Sequence, residues 1–388
     1  MRQLVCSFPM TTKRAGLTVV ALVSLLVFAA TGVGWSQVHR LTAGLSTADV
    51  LDPGAASTTG EQNILLVGLD SRTDAQGEPL PRNLLDQLHA GDSSDGGDNT
   101  DTMILVHIPA GGGAATAFSI PRDSYVRLAG GFGRHKINSA YTYAQVAAAN
   151  RLRAQGVTGA QLNVQAAQAG AKNAVQTVEQ LTGLTVTHFA SVNLVGFYDI
   201  SEAIGGIPVC LNAPVRDAYS GADFPAGEQT ISGAQALAFV RQRHGLPNGD
   251  LDRIRRQQAF LASMAHTVLA AGTLTDPAKL TKLVGALQQS VTIDQGWDVF
   301  SFAQQLRNLS SGQIRFETIP VGNTDLKTSD GDAVQVDPAQ VQAFVQQATG
   351  GAAPSTVAPP TTASRVTSRP ATPPAAPPVT AGNVTCVN

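Results

Sequence analysis

The stretch Asn63-Ile64-Leu65-Leu66-Val67-Gly68-Leu69-Asp70-Ser71-Arg72 decides how this chain is read. Residues 63–69 carry no charge and stop at a polar Asp-Ser-Arg corner. A short apolar run that ends so abruptly predicts a strand buried on both faces. Residues 103–108 and 115–120 repeat the pattern between Asp, Gly and Pro. Further strands are expected at 189–192, 207–211 and 314–320. Helical periodicity is expected at 164–181, 194–204, 234–240, 253–271 and 302–309. Strands alternating with helices predict an α/β domain layered around a central sheet. No internal repeat and no linker divide residues 61–349, so one domain is expected.

The 388 residues hold 26 Lys+Arg against 28 Asp+Glu, a net charge of -2. That balance argues against a general nucleic-acid binder, because no global positive field gathers phosphate backbones. Charged residues are only 14% of the chain, and two charge-poor segments at its ends account for part of that deficit.

Residues 15–35 contain no charge and are long enough to cross the hydrocarbon core as a helix. Arg2, Lys13 and Arg14 precede them without an acidic residue. The positive-inside rule then leaves residues 1–14 in the cytoplasm and exports the rest. A cleaved signal peptide is the competing reading, disfavoured by the length of the apolar run. Residues 36–60 read as a polar stem that holds the domain near the outer leaflet. The expected location is therefore the cell membrane, single-pass, with the main domain extracellular. Residues 350–388, rich in Pro, Ala, Thr and Val, read as a disordered tail. Cys6, Cys210 and Cys386 form no metal-binding set. Cys210 and Cys386, both exported, are either a pair or two separate thiols.

Common catalytic signatures are absent: no Walker loop, no dinucleotide glycine pattern, no His-Glu-x-x-His, no nucleophile elbow. What remains is a set of acidic and arginine residues at strand ends, where open α/β sheets bind ligands. Asp70 follows the first strand, Asp101 opens the second, and Arg122 and Asp123 follow the third. Two converging carboxylates suit Mg²⁺ (or Mn²⁺) completed by substrate phosphate oxygens. The bland alternative makes Asp70 and Asp101 loop caps. Residues 241–257 hold Arg241, Arg243, Arg253, Arg255 and Arg256. Arg241 and Arg243, two apart in an extended segment, would point the same way. Beyond the turn at 245–249, Asp250 or Asp252 caps a helix on which Arg253, Arg256 and Gln257 share a face. Arginine's rigid fork suits phosphate, so an anion site is expected here rather than a solvated basic face. Lys136 adds a cation or is an ordinary surface lysine.

These segments, in this order, resemble the LytR-CpsA-Psr family of bacterial envelope proteins. The matching blocks are 68–72, Asp101-Thr102-Met103, Ser119-Ile120-Pro121-Arg122-Asp123-Ser124, Lys136-Ile137-Asn138, Gly205-Gly206-Ile207, 236–243, and Asp250 through Gln258. The resemblance implies a three-layer α/β/α sandwich around a mixed sheet. It also implies a phosphotransferase that takes a glycopolymer from a polyprenyl-pyrophosphate carrier and joins it to the muramic acid 6-hydroxyl of peptidoglycan. Asp70 and Asp101 would bind Mg²⁺; Arg122, Lys136, Arg241, Arg243 and Gln257 would hold the pyrophosphate, with Arg256 beside Gln257. Arg122, Asp123, Arg241 and Arg243 would be catalytic, with Asp123 or Asp101 as base. A hydrolase using the same pocket, or an anchored polyanion-binding regulator, are the rival readings. Many members carry Arg two residues before the metal-binding Asp, whereas this chain has Asn99. The composition looks actinobacterial, which makes arabinogalactan or a teichoic-type polymer the expected cargo.

Overall fold

The apolar run at 63–69 lies within a strand that pairs on both sides, as its lack of charge requires. The computed structural model describes residues 44–388 apart from 53, 55–59, 89, 92–98, 112, 270–276, 300, 303–313 and 351–377. Along the chain, β1 (Ser46–Ala48) and β2 (Gln62–Leu69) precede α1 (Arg82–Gln87), β3 (Thr100–Ile108) and β4 (Ala115–Ser119). A hairpin, β5 (Ser124–Leu128) and β6 (Gly133–Lys136), leads into α2 (Ser139–Ala154) and α3 (Gly159–Thr182). Next come β7 (His188–Val192), α4 (Leu194–Ile204), β8 (Ile207–Leu211), β9 (Val215–Asp217), β10 (Ala222–Phe224) and β11 (Gly227–Ile231). Three helices follow: α5 (Gly233–Arg241), α6 (Asp250–Leu269) and α7 (Pro277–Ser290). The remaining elements are β12 (Val291–Asp294), β13 (Ile314–Thr318), β14 (Leu326–Thr328), β15 (Gly331–Gln335), α8 (Pro338–Ala348), β16 (Val379–Thr380) and β17 (Cys386–Val387).

Eight strands form the main sheet in the order β1-β12-β7-β2-β3-β4-β13-β16. It is mixed: β2 runs parallel to β7 and antiparallel to β3, and β4 runs parallel to β13. Side chains alternate across it, as the period of two dictates. Leu65, Val67, Met103, Leu105 and Phe118 pack with α2, α3 and α8 on one face. Ile104 and Ala117 pack with α4, α5 and α6 on the other. Both faces are therefore covered, giving the three layers expected. Phe118 and Leu105 are fully buried, and truncating such a phenylalanine to alanine costs about 3–5 kcal/mol.

The helix α2 has no counterpart in the sequence reading. Its buried residues are mostly alanines, Ala140, Ala148 and Ala149 beside Tyr141, so no broad apolar stripe announces it. It docks closely on α3 because Gly170 removes a side chain there: a Cβ would lie 2.8 Å from the Tyr141 carbonyl oxygen.

Two boundaries need correcting. The stem read at 36–60 contains β1, which pairs with β12 at the sheet edge, so the folded unit begins before residue 61. The tail read as disordered at 350–388 ends in structure. Residues 351–377 lie outside the described residues, but β16 pairs with β13 and β17 pairs with β8. Cys386 is bonded to Cys210. Main-chain pairing and a covalent link supply what composition lacked. The expected membrane span at 15–35 and most of the expected helix at 302–309 lie outside the described residues. Among the described residues no helix is long and apolar enough to cross a membrane.

One buried polar pair sets a pH dependence. His107 on β3 is 4% exposed, with Nδ1 2.8 Å from Asn63 Oδ1. The Asn63 amide nitrogen donates to the Thr185 carbonyl, so Oδ1 is the acceptor and His107 donates. Burial pushes the His107 pKa below its ordinary value, with Glu61 opposing. A histidine depressed in the fold binds its proton more readily when unfolded. The stability it contributes is complete above about pH 6.5 and is lost as pH falls below that value. Thermal melting between pH 7.5 and 5 should therefore fall less steeply in His107→Gln than in the parent chain. Equal slopes would remove His107 as a cause.

Candidate functional site

Antiparallel pairing of β2 with β3, and of β3 with β4, sets the C-terminal ends of β2 and β4 beside the start of β3. Asp70, Asp101 and Arg122 leave the sheet at that one edge. The loops there are joined by their main chains: Asp70 N donates to Asn99 O at 3.2 Å. Asn138 N donates to Arg122 O at 3.1 Å, and Thr100 N to Asn138 O at 3.3 Å.

Arg122 is the centre of a charged cluster. Its Nη1 donates to Asp101 Oδ1 at 2.5 Å, and its Nε stands 3.6 Å from Asp123 Oδ2 and 3.9 Å from Asp250 Oδ1. Lys136 Nζ lies 3.3 Å from Asp123 Oδ1. Arg243 Nη2 lies 4.0 Å from Asp101 Oδ1, with its side chain 38% exposed. Arg253, almost fully buried, pairs with Asp250. Burial opposes the charge on Arg122, but Asp101, Asp123 and Asp250 outweigh it and hold its pKa above the usual arginine value. Burial raises the Asp250 carboxyl despite Arg253 and Arg122 beside it. Burial likewise lowers Arg253, against the pull of Asp250. Arg253 and Asp250 offset one another as a buried pair, and Arg122, Lys136 and Arg243 against Asp101 and Asp123 leave the cluster suited to an anion.

The structure brings Asp101, Arg122, Asp123, Lys136 and Arg243 together. Asp70 lies one strand away, with its Oδ2 3.4 Å from Arg72 Nη1. Arg241 ends α5 and donates through Nη1 to Leu88 O at 3.0 Å. The chain between it and Arg243 is extended only at Gln242, so the two guanidinium groups do not share one direction by strand period. Gln257 is buried and donates to Val240 O at 3.4 Å, tying α6 to α5. Arg256 corrects the sequence reading. It is fully buried, bonded to Gln242 Oε1 and Asn388 O, with its guanidinium carbon 5.3 Å from the centre of the Phe239 ring. Burial depresses its pKa to about 10. It holds the C-terminal strand β17 rather than the cluster. Asn99, at the departure from the family pattern, accepts from Thr142 Oγ1 at 3.0 Å and so anchors α2.

Sequence spacing read Asp250 as a possible helix cap and Arg253 as part of an anion-binding face, but joined neither to Arg122. Their i,i+3 separation was visible, but only α6 docking against the Arg122 loop shows that the pair faces inward. Gln258 was missed too; its amide donates to Ser119 Oγ at 3.0 Å and Thr318 Oγ1 at 3.1 Å, fixing α6 to the ends of β4 and β13.

Among the described residues no three His, Cys, Asp or Glu side chains gather as a metal cage. Asp70 and Asp101 on neighbouring strands give two hard oxygen donors. That set fits Mg²⁺ where substrate phosphate completes its shell, and does not fit a thiolate or imidazole metal. A cleft of about 340 Å³ is lined by Leu69 and Ser71, which flank Asp70, by the apolar Tyr141, Val164, Ala171 and Phe189, and by the polar Thr73, Asp74, Gln76 and Asn193.

The fold is that of a layered α/β protein with an arginine-carboxylate cluster at the end of a mixed sheet. The LytR_cpsA_psr family model matches residues 42–349, and the chain belongs to that family. It is 45% identical over 358 residues to "Cell wall biosynthesis protein LcpA" of Corynebacterium glutamicum, covering 89% of this chain and 68% of that protein. It is 24% identical over 294 residues to the "Polyisoprenyl-teichoic acid--peptidoglycan teichoic acid transferase TagU" of Bacillus subtilis, covering 74% of this chain and 80% of that one. A solved "LytR-Csp2A-Psr enzyme from Actinomyces oris" superposes with a TM-score of 0.55 at 20% identity, over 78% of this chain and 95% of the other, a likeness of fold.

Proposed function

We propose that this chain is a phosphotransferase of cell-wall assembly. It would move a glycopolymer from a polyprenyl-pyrophosphate carrier onto the muramic acid 6-hydroxyl of peptidoglycan. The observation that carries this reading is the convergence of Arg122, Lys136 and Arg243 on Asp101 and Asp123 at one sheet edge. Family membership and the transferase named among its relatives support it.

Phosphoryl transfer asks the protein for position and charge rather than covalent chemistry. Arg243, the most exposed of the clustered guanidinium groups, grips the diphosphate from the solvent side, and Lys136 and Arg122 approach it from the sheet edge. The acceptor hydroxyl attacks the phosphorus that carries the glycan, and the bond from that phosphorus to the bridging oxygen breaks. Polyprenyl monophosphate departs, and a phosphodiester joins glycan to acceptor. The hydroxyl proton passes to Asp123, which Lys136 and Arg122 hold from its two oxygens. Asp70 and Asp101 would hold Mg²⁺, which when bound supplies further positive charge opposite the phosphate oxygens. The apolar part of the cleft, Leu69, Tyr141, Val164, Ala171 and Phe189, offers a surface for the polyprenyl chain.

Incubating the full chain with lipid-linked polymer, with and without peptidoglycan oligomers, tests the reaction. Acceptor-dependent joining is expected. Free polymer phosphate released at the same rate without acceptor would make the chain a hydrolase. Asp101→Asn should lower transfer about 10²-fold and raise the Mg²⁺ concentration needed for half-maximal rate. Full wild-type activity in excess chelator would exclude the metal from the scheme.

A further inference from the structure

Beside the arginine cluster stands an aromatic pair that the reaction as described leaves unused. Tyr219, between β9 and β10, is 79% exposed, the most exposed large apolar side chain among the described residues. Its ring lies 4.3 Å from that of His244, tilted by 33°. Single exposed aromatic residues are ordinary, but this one is part of a built arrangement. His244 Nδ1 stands 3.5 Å from Asp217 Oδ1, a carboxylate whose side chain is 1% exposed. Asp217 also accepts from Tyr219 N at 3.0 Å and Ser220 Oγ at 2.8 Å. Gln242, fully buried, donates to His244 O at 3.1 Å. Buried polar groups thus fix both the ring and its loop from beneath, while the upper faces stay open.

A second Tyr–His pair shows what a filled arrangement looks like. Tyr143 stacks on His135 at 4.6 Å, bonds its Nδ1 through the hydroxyl at 3.3 Å, and packs on Phe132 at 5.7 Å. Among the described residues Tyr219 makes no ring contact except His244. Its neighbours, Arg216 and Asp223, form a largely exposed ion pair at 3.0 Å. A polar rim around a small aromatic plate suits a ligand with one apolar face and many hydroxyls, and does not suit a lipid chain. His244 directly follows Arg243, so their Cα atoms are about 3.8 Å apart. The plate therefore borders the diphosphate end of the site.

We propose that Tyr219 and His244 form the subsite for the sugar directly attached to the diphosphate, stacking the C–H face of its pyranose ring. This rests on the phosphotransferase reading and adds where that reaction holds its glycan. A rigid tyrosine ring presents such contact area at little entropic cost, and its hydroxyl remains free to bond a sugar hydroxyl.

The test compares binding of a hexosamine 1-diphosphate with binding of inorganic pyrophosphate, by calorimetry on the full chain. The parent protein should prefer the sugar-bearing probe. Tyr219→Ala should reduce that preference about five- to tenfold, Tyr219→Phe should keep most of it, and pyrophosphate affinity should stay unchanged in both. The melting temperature should also hold, because Tyr219 is on the surface. An unchanged preference in Tyr219→Ala overturns the subsite. A loss confined to a diphosphate-free muramyl disaccharide overturns it as well, moving the plate to the acceptor side. Failure of the parent protein to bind pyrophosphate at all would instead strike the anion site, and with it both readings.

Discussion

Arg122→Ala should abolish transfer, lowering the rate by about 10³-fold or more, the range seen when a transition-state arginine is removed from a phosphoryl-transfer site. The guanidinium lies among three carboxylates, bonded to Asp101 and facing Asp123 and Asp250. Removing it leaves those acids to repel one another and the incoming diphosphate. Arg122→Lys should rescue little. One ammonium on a flexible stem cannot address Asp101 through one nitrogen while facing the other two acids through another. The measurement is single-turnover transfer on lipid-linked polymer, with diphosphate binding followed separately. If Arg122→Ala retains more than a tenth of the parent rate, the cluster is not where the chemistry occurs.

Breaking the Cys210–Cys386 bond should have the largest effect on stability. The link closes a loop of 176 residues, and chain entropy alone then assigns it about 5 kcal/mol. It also fastens β17 beside β8, where Asn388 O meets the buried Arg256. Arg256 sits on α6, the helix that delivers Arg253 and Asp250 to the cluster. Cys210→Ala/Cys386→Ala, or reduction of the parent protein, should lower the melting temperature by roughly 10 °C. Alanine avoids placing a polar hydroxyl at Cys210, which is 4% exposed. A melting temperature that reduction leaves in place would show that strand pairing alone holds the C-terminal segment.

Much of the fold was legible because buried strands announce themselves. The runs at 63–69, 103–108 and 207–211 carry no acid, lysine or arginine and are mostly apolar, the composition that buried strands require. The helix α4 was read to its bounds from its periodicity, and in the structure Asn193 caps it and Gly205 ends it. By contrast, α2 hides behind alanines, and β1, β16 and β17 are too short to carry a pattern. Such strands exist only because an edge was waiting for them.

By itself, the sequence determined the class: an α/β domain with acidic and arginine residues at its strand ends, and a family resemblance carried by ordered blocks of motif. Only the tertiary structure decided which arginines join the charged cluster. Arg243 and Arg256 look equivalent in composition, yet one reaches Asp101 and the other lies sealed beneath β17. The reason is physical. Charge and spacing are local properties of a chain, whereas the burial of a guanidinium group depends on which distant segment packs over it.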